Sequence, residues 1–329
     1  MSSAPKAAKR VTAADVARSL GLSRATVGFV LNDTPGQTIP PATRERVLAE
    51  ASRLGYRPHS AARALASGRS HIVLLVLPDW PLDFTLRRNI EEASLALDAN
   101  GYSLITYTPE HASHTRPLWE SLQPDVVMSM APLAPERIAQ IRQAGVQHIV
   151  PDPDHAVTDE YSEEGPVLQM RHLNETGHRR VAFVGSTDPR IADLVASRRR
   201  SAGDAARTLG MTLSDGRDID LAEESAAAAV AALVAAGITG VAAYNDDVAL
   251  ALVGAALRSG VVVPGQLAVV GHDDAPFAAL AQPRLTTVRL DVIGLGRYLA
   301  SIALNLAQGT PLPETAPVQH VKLMVRDTA

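Results

Sequence analysis

The chain has 329 residues, of which 46% are hydrophobic and none is a cysteine. At about 100–200 residues per domain, this length is enough for one small domain and a larger body of two lobes. The lack of cysteine excludes a disulfide framework, a cysteine-ligated zinc and thiol catalysis, and it fits a reducing compartment. No apolar signal region follows the basic start of the chain, and no run reaches the about 18 apolar residues of a membrane span, so we expect a cytoplasmic protein.

Charge is distributed unevenly along the chain. Residues 1–70 contain eleven Lys and Arg against four Asp and Glu, a charge of +7, so that with a total of −4 the remaining residues carry −11. Lys and Arg neutralise phosphates and supply most of the non-specific affinity of proteins for DNA. A basic head on an acidic body is therefore what a DNA-binding module attached to a soluble sensor would need. A solvated charged surface without a DNA partner is the alternative.

Three short helices are predicted in the head. Apolar residues recur at helical spacing before Gly21, which ends the first helix, and again after Ser23, whose hydroxyl can cap the second. A third helix is predicted from Pro41 to Gly55. The apolar sides of the three helices are expected to contain Val16, Ala17 and Leu20, then Val27, Val30 and Leu31, and then Val47, Leu48 and Leu54.

The tight turn at Gly21 makes the first two helices a candidate helix-turn-helix. In that motif the second helix lies in the major groove of DNA, and the residues of its first turn point at base edges. This geometry places Arg24 and Ala25 at the bases and Thr26 near the backbone. An ordinary helical hairpin is the alternative interpretation of the same pattern.

The segment after the head has the composition of a hinge. Between Pro58 and Gly68 it consists of small residues with one large apolar side chain, Leu65. An isolated helix of this length is unstable in water, which suits a hinge that orders only when two copies meet on DNA, where Leu65 could insert into a minor-groove step. We expect a DNA-binding domain at residues 1–57, a hinge at 58–69, and an effector-binding and dimerisation domain at 70–329.

Two stretches, VTAADVARSLGLSRATVGFVLND at residues 11–33 and IPPATRERVLAEASRLGYRPHSAARALASGRS at residues 39–70, resemble the head and hinge of the lactose/galactose-repressor (LacI/GalR) family of bacterial transcription regulators. The resemblance implies that the second helix reads bases, that several side chains bind phosphates and that the hinge enters the minor groove. The implied DNA contacts are Arg24 and Ala25 at bases, Thr12, Ser23, Thr26 and Asn32 at phosphates, and Ser60, Ala62 and Leu65 in the hinge.

One pair of residues departs from the family pattern. Where many members have Ser followed by a polar residue such as Arg or His that reads bases, this chain has Gly28 and Phe29. Phe29 cannot donate a hydrogen bond to a base. We place it among the DNA-facing residues, in contact with a thymine methyl. Packing against the core of the head is the alternative.

The body alternates between predicted strands and predicted helices. A buried strand at HIVLLVLPD is followed by an amphipathic helix at LRRNIEEASLALDANG, and a second series begins at GPVLQMRHLNETG and runs to the strand QLAVVGHDD. This alternation is typical of parallel α/β units. The predicted fold is therefore a small all-α helix-turn-helix head followed by two doubly wound parallel-sheet lobes of the periplasmic-binding-protein type.

The resemblance to the LacI/GalR family extends into the body through HLNETGHRRVAFVG, YNDDVALALVGAALRSGVVVPGQLAVVGHDD and PRLTTVRL. Two doubly wound lobes bring the carboxyl ends of their strands to a shared cleft, where such sheets bind ligands. Carboxylates and a guanidinium at the cleft suit sugar hydroxyls, because they form charge-assisted hydrogen bonds with them.

Four residues are expected to contact an effector in this cleft. The resemblance implies that Arg198, Asn245 and Asp273 do so. Trp80 is the expected stacking face for a sugar, and a place in the core is its alternative. Asp246 is expected to cap the helix that follows it.

Together these features predict a sequence-specific transcription regulator, a repressor, whose operator affinity is controlled by a small effector, a sugar or polyol, bound between the lobes. A homodimer on a palindromic operator is expected because one head reads too few base pairs. A dimer rather than a tetramer is expected because no heptad tail follows the last strand-like segment. We expect no enzymatic activity, no cofactor, no metal site and no membrane partner.

Two other classes of protein fit parts of the sequence. A periplasmic solute-binding protein shares the two-lobed body, but it would need a signal peptide and would lack residues 11–69. An enzyme is disfavoured because the chain has no GxGxxG, P-loop, GxSxG or HExxH motif. His111 and His114 have a spacing that could bind a metal on a helix, but in a polar loop we expect them to be solvated. The acidic cluster at residues 152–155 lacks a phosphate cradle.

Overall fold

The structure is a computed structural model of the chain, and it describes residues 11–31, 34, 36–56, 69–109, 116–151, 164–312 and 321–329. The chain forms two compact units, the first containing residues up to 72 together with 122–125 and the second containing the remainder. No helix within the described ranges is long and apolar enough to cross a membrane.

Three helices form the core of the first unit. They are α1 (Ala13–Leu20), α2 (Arg24–Leu31) and α3 (Pro41–Arg53). Gly21 ends α1 at φ 65°, in the left-handed region where glycine is unstrained, and its N–H donates to the carbonyl oxygens of Ala17 and Arg18. The buried side chains of the three helices meet in one cluster of Val16, Ala17, Val27, Val30, Val47 and Ala51. The predicted helix-turn-helix head is confirmed.

The prediction that Leu48 belongs to the apolar side of α3 is wrong. Leu48 is 49% exposed, whereas Val47 and Ala51, about one turn apart, are buried in the cluster. Successive residues of a helix are rotated by about 100°, so a side chain directly after Val47 points away from the surface that Val47 buries. Leu54 packs against the cluster, as predicted.

The first lobe contains a four-stranded sheet in the order β2-β1-β3-β4, in which β3 pairs in parallel with both β1 and β4. Its strands are β1 (Ile72–Val76), β2 (Ser103–Tyr107), β3 (Val126–Ser129) and β4 (His148–Val150). The helices that connect successive strands are α4 (Phe84–Asp98), α5 (Leu118–Leu122) and α6 (Pro135–Gln143).

The second lobe contains a six-stranded sheet in the order β10-β9-β8-β7-β5-β6, which is parallel except for the pair of β10 and β9. Its strands are β5 (Arg180–Val184), β6 (Thr212–Asp215), β7 (Gly240–Ala243), β8 (Ala268–His272), β9 (Thr286–Arg289) and β10 (Lys322–Met324). Its helices are α7 (Glu164–Glu175), α8 (Ala192–Thr208), α9 (Glu223–Ala235), α10 (Asp246–Arg258) and α11 (Pro276–Leu280).

A last helix, α12 (Val292–Gln308), lies between β9 and β10 of the second lobe in the chain but packs in the first lobe. It lies along α4, and Gly296 permits the close approach, because a Cβ at this position would lie 2.5 Å from the carbonyl oxygen of Asn89. Glu92 is buried beside this contact and pairs with Arg297 at 3.2 Å. The chain therefore passes between the lobes more than once.

Alternate residues of the central strands face two different hydrophobic layers. Val181 and Phe183 of β5 pack with the layer of α7 and α8, whereas Ala182 and Val184 pack with the layer of α9 and α10. Burial on both faces explains why these strands are continuous apolar runs in the sequence. The predicted pair of doubly wound lobes is confirmed.

Strand order reverses beside β1 in the first sheet and beside β5 in the second. At such a point the connections after neighbouring strands diverge to opposite faces of the sheet and leave a crevice outside the carboxyl ends, where these folds bind ligands. The loops that leave β1, β5 and β7 there begin at Leu77, Gly185 and Tyr244. These loops and the helix starts beside them carry the polar side chains of the cleft.

Candidate functional site

The first turn of α2 is an exposed, well-capped helix end. The Ser23 hydroxyl accepts the N–H of Thr26 at 3.0 Å, and the two side-chain hydroxyls are 2.9 Å apart. Ser23 therefore satisfies a backbone donor that has no partner inside the helix, as predicted. Arg24 and Ala25 are exposed on this turn. No hydrogen bond or ion pair ties Arg24 to another described residue, so its guanidinium is available to DNA.

Thr12 fixes the start of α1 through Asp15. Its N–H and its hydroxyl both donate to the Asp15 carboxylate, at 2.9 and 2.7 Å, and Arg18 donates to the other carboxylate oxygen at 2.9 Å. These hydrogen bonds, with that of the Thr12 hydroxyl as the largest cause, lower the pKa of Asp15 to about 2. A phosphate that accepts a hydrogen bond from the Thr12 hydroxyl must therefore compete with this carboxylate.

Gly28 and Phe29 lie one turn beyond Arg24 and Ala25 on the same face of α2. A Cβ at Gly28 would meet nothing within 4 Å among the described atoms, so this part of the helix surface is open. Phe29 is half-buried, and it is not among the described side chains that pack on the core cluster of the head. This face of α2 therefore presents the guanidinium of Arg24 beside small and apolar groups.

Four of the predicted DNA contacts lie outside the described residues. They are Asn32, Ser60, Ala62 and Leu65. The loop residues His111 and His114 and the acidic cluster at 152–155 lie outside them as well. In the part of the chain that the structure does describe, no three potential metal ligands form a group that could hold an ion.

Arg198, in the second turn of α8, lies in the cleft between the two lobes. Its guanidinium donates to the carbonyl oxygen of Tyr244 and lies 3.6 Å from a carboxylate oxygen of Asp273. Its Cζ is 4.6 Å from the centre of the Tyr244 ring. Contact with the ring and with the carbonyl holds the guanidinium in one orientation. The structure thus brings together Arg198 and Asp273, two of the predicted effector contacts.

Asp273 is held from another side by His272. Burial lowers the pKa of His272, and the charge of Arg198 adds to this effect, so the ring is neutral. Its Nδ1 lies 2.7 Å from a carboxylate oxygen of Asp273 and donates to it. Gly165 lies against the same ring, because a Cβ there would overlap Nε2. Asp273 has φ 108°, a conformation that L residues rarely adopt, so its surroundings impose its position.

The charge of Asp273 acts on two further carboxylates of the cleft. Asp83 comes from the first lobe, where it caps α4 by accepting the N–H of Leu86 at 2.8 Å, and Asp247 comes from the first turn of α10. Burial first, and the charge of Asp273 second, raise the pKa of both carboxyl groups. Burial also raises the pKa of Tyr244 to about 12. Around the Arg198 guanidinium the described cleft therefore holds three carboxylates, those of Asp83, Asp247 and Asp273.

Trp80 lies where the hydrophobic clusters of the two lobes meet. It is half-buried, and it packs both against the cluster of the first lobe and against the α7–α8 layer of the second. Part of its ring therefore belongs to the core, and the exposed part is the surface that is left for a ligand.

Asn245 caps α10, and the prediction that Asp246 does so is wrong. The side-chain oxygen of Asn245 accepts the N–H of Val248 at 3.0 Å, which leaves its NH2 group for an effector. Asp246 is buried instead, and its carboxylate accepts the Thr287 hydroxyl at 2.5 Å and the N–H of Ala275 at 2.7 Å. Burial raises the pKa of Asp246 to about 7. Asp246 therefore joins the start of α10 to strand β9 and to the residue before α11.

The cleft offers acceptors on its carboxylates and donors on its guanidinium, and a hydroxyl group can both donate and accept. This arrangement suits a molecule that carries several hydroxyls. Sequence reasoning missed Asp83, Tyr244 and Asp247 as members of the site. The signal that could have found them is their position, because all three lie at a helix start or directly after a strand, at the carboxyl ends of the sheets.

Known proteins resemble the chain along nearly its whole length. Residues 12–59 match the family of bacterial regulatory proteins of the lacI type, and residues 170–329 match a periplasmic binding protein-like domain. The lac repressor dimer bound to operator and the anti-inducer ONPF superposes with a TM-score of 0.77 at 23% identity, covering 97% of this chain and 99% of that one. The CelR–cellobiose complex superposes with a TM-score of 0.61 at 26% identity, covering 97% of this chain and 100% of that one.

Known regulators are also similar to the chain in amino-acid sequence. The HTH-type transcriptional regulator GalR of Salmonella typhimurium is 30% identical over 96% of this chain and 95% of its own length. Catabolite control protein A of Priestia megaterium is 27% identical over 95% of this chain and 96% of its own length. The exposed, capped recognition helix and the polar cleft between doubly wound lobes agree with these matches. The chain therefore belongs to the LacI/GalR family of DNA-binding transcription regulators.

Proposed function

We propose that the chain is a cytoplasmic repressor that binds a roughly palindromic operator as a homodimer, and that a neutral polyol bound between its lobes controls operator affinity. We assign DNA binding to residues 1–57, the hinge to 58–69, and effector binding and dimerisation to 70–329. The observation that carries the proposal is the cluster of Arg198, Asp273 and Tyr244 in the cleft of a chain that begins with a helix-turn-helix.

Arg24 is the proposed reader of guanine. Its guanidinium can bind O6 and N7 of one guanine at once, a pairing worth about 1–3 kcal/mol of discrimination between base pairs. Ala25 and Phe29 supply apolar contacts, for which a thymine methyl is the natural partner. Ser23 and Thr26 bind phosphates, which positions the helix without reading sequence. A two-fold dimer presents two such helices to half-sites about 34 Å apart.

Charge selects the class of effector. Three carboxylates surround the Arg198 guanidinium in the described cleft, and interactions between charges strengthen as water is excluded. A phosphorylated ligand would be repelled, whereas the hydroxyls of a polyol can donate to the carboxylates and accept from Arg198. The partly exposed ring of Trp80 offers a face on which a sugar can stack. The similar regulator CelR has been solved with cellobiose, which supports a carbohydrate ligand.

Control of DNA binding requires an effector that prefers one arrangement of the lobes. The charge of Asp273 in the second lobe acts on Asp83 of the first lobe across the cleft. A ligand whose hydroxyls donate to both would therefore favour a closed cleft. Each tenfold preference of the ligand for that arrangement changes the free-energy difference between the two arrangements by about 1.4 kcal/mol. We propose that residues 58–69 transmit this shift to the operator.

A thermal-shift screen of the full chain against sugars and polyols tests the proposal, because a ligand at about 100 times its Kd stabilises a protein by about 2.7 kcal/mol. Calorimetry with the strongest compound then compares two variants. Asp273→Asn keeps the size of the side chain but removes its charge, and it should weaken binding at least about tenfold. Asp98→Asn removes a charge from the exposed far end of α4 and should change nothing. Unchanged affinity of the Asp273 variant would place the effector elsewhere.

A further inference from the structure

A groove lies between α7 and α8 on the second lobe, and it shares no lining residue with the cleft. Its volume of about 440 Å³ falls within the range of small-molecule sites, about 300–1,000 Å³. Ser197, Ser201 and Thr208 line it at helical spacing along α8, and Val167 and Arg171 line it along α7. The groove is therefore large enough for a small metabolite.

Two arginines of the groove have no partner among the described residues. Arg171 on α7 and Arg200 on α8 are both exposed, and neither makes a hydrogen bond or an ion pair with another described side chain. Asp204 is the carboxylate that lines the groove, and Arg207 binds it at 2.7 Å. The charge of Asp204 is thus already compensated, and the described groove carries an excess of positive charge.

Hydroxyl and apolar groups complete the groove. Ser197 lies about one turn before Arg200, so that its hydroxyl and the guanidinium share one wall. Val167 and Leu209 add half-buried apolar surface. Guanidinium groups bind oxyanions through strong, paired hydrogen bonds, and apolar surface suits the carbon part of a metabolite. The set of groups therefore fits a ligand with an anionic head and a short carbon body.

Arg198 and Arg200 belong to different sites although they are two residues apart. Two residues are separated by about 200° around a helix, which directs Arg198 to the cleft and Arg200 to the groove. The same helix thus stands between an acidic site and a basic one. A dianion that the carboxylates of the cleft repel would be attracted to the groove.

We propose that the groove is a second ligand site, which binds a small metabolite carrying a phosphate monoester. A phosphate monoester suits the two guanidinium groups better than a carboxylate does, because it has three terminal oxygens and a charge of about −1.5 to −2 at pH 7. The site is separate from the effector cleft, so the chain has places for two ligands of different charge.

Calorimetry on the full chain tests this, with glycerol 3-phosphate as the probe and glycerol as its uncharged counterpart. We expect saturable binding of one glycerol 3-phosphate per chain and no binding of glycerol. Arg171→Gln and Arg200→Gln should each weaken binding at least about tenfold, because each removes charge-assisted hydrogen bonds. Arg258→Gln is the matched control. It removes the same charge from an exposed position of α10, on the other layer of the lobe, and should leave binding unchanged.

Three results would overturn the proposal. The first is the absence of binding at millimolar glycerol 3-phosphate, and the second is an equal loss in the Arg258 variant, which would show an unspecific attraction of anions. The third is binding that Arg198→Gln abolishes while the Arg171 and Arg200 variants retain it, which would place the probe in the cleft, where Arg198 is the guanidinium beside Asp273. If no sugar binds in the thermal-shift screen, only the proposal for the cleft fails, because the groove is tested with glycerol 3-phosphate, which is not a sugar.

Discussion

Nη2 of Arg198 lies 3.6 Å from Oδ1 of Asp273, with both side chains largely withdrawn from water. This distance exceeds the about 2.7–2.9 Å of a charge-assisted hydrogen bond, so the two groups attract each other without being joined directly. Asp273 receives its hydrogen bond from His272 instead, at 2.7 Å, and Arg198 is anchored on Tyr244. Both charges are therefore held in place while donors and acceptors are left for a ligand.

Arg198→Ala should lower the free energy of unfolding of the second unit by about 1–3 kcal/mol, because it leaves the buried Asp273 without its counter-charge. Asp273→Asn should cost less, because the asparagine oxygen still accepts from His272 and Arg198 keeps its contact with Tyr244. Urea unfolding of the two variants measures the difference. A greater loss in the asparagine variant would contradict this account of the pair.

Asp246 should make the second unit less stable as the pH rises. Its pKa is about 7 in the folded chain against an ordinary value of 3.8, so folding favours the protonated form. This contribution to stability is greatest below about pH 4 and is lost progressively up to about pH 7. Asp246→Asn should flatten the slope, because a neutral amide can accept the N–H of Ala275 and donate to the Thr287 hydroxyl. The test is to measure the free energy of unfolding of both proteins across this pH range. If the variant keeps the same dependence on pH, the dependence comes from other groups and not from Asp246.

Two glycine-to-alanine changes in the head should have opposite effects. Gly21 has φ 65°, which costs an alanine about 1–2 kcal/mol, so Gly21→Ala should destabilise the head. Gly28 lies inside α2 with open space at its Cβ position, so Gly28→Ala should stabilise the head by about 0.5–1 kcal/mol. Thermal unfolding of both variants checks the two signs. Destabilisation by Gly28→Ala would mean that this face of α2 is covered in the folded head.

Features that depend on neighbouring residues could be predicted from the sequence. Gly21 ends α1 by bonding to Ala17 and Arg18, and Ser23 caps α2 by bonding to Thr26, so each signal and its partner lie within four positions. The central strands could be predicted for a similar reason, because burial on both faces requires apolar residues at successive positions of a strand.

Features that depend on distant residues could not be predicted from the sequence. Asn and Asp are about equally good helix caps, and the choice between Asn245 and Asp246 follows from the contacts of Asp246 with Ala275 and Thr287, 29 and 41 positions later. The packing of α12 could not be predicted, because Gly296 contacts α4, a helix that lies about 200 residues earlier in the chain. Asp83 was missed as a cleft residue for the same reason, since the charges that act on it come from the second lobe.

Phe29→Arg separates the two roles that the sequence allows for this position. An arginine that faces DNA should create a new preference for a G·C pair, whereas an arginine that faces inward should unfold the head by burying a charge. We expect the first result, because Phe29 does not pack on the described core cluster. A melting curve measures the stability of the variant, and operator selection measures its preference. Loss of the folded head at ordinary temperature would assign Phe29 to the core.

Selection of operators from a randomised DNA library, by the unchanged chain and by Arg24→Ala, tests the central claim most directly. We expect the unchanged chain to select two inverted half-sites with a G·C pair at one symmetric position. The variant should lose about 1–3 kcal/mol of preference at that position alone. Thr26→Ala, which removes a proposed phosphate contact, should weaken all sequences about equally. An Arg24→Ala variant that selects the same site with every preference intact would contradict the assignment of α2 as the base-reading helix.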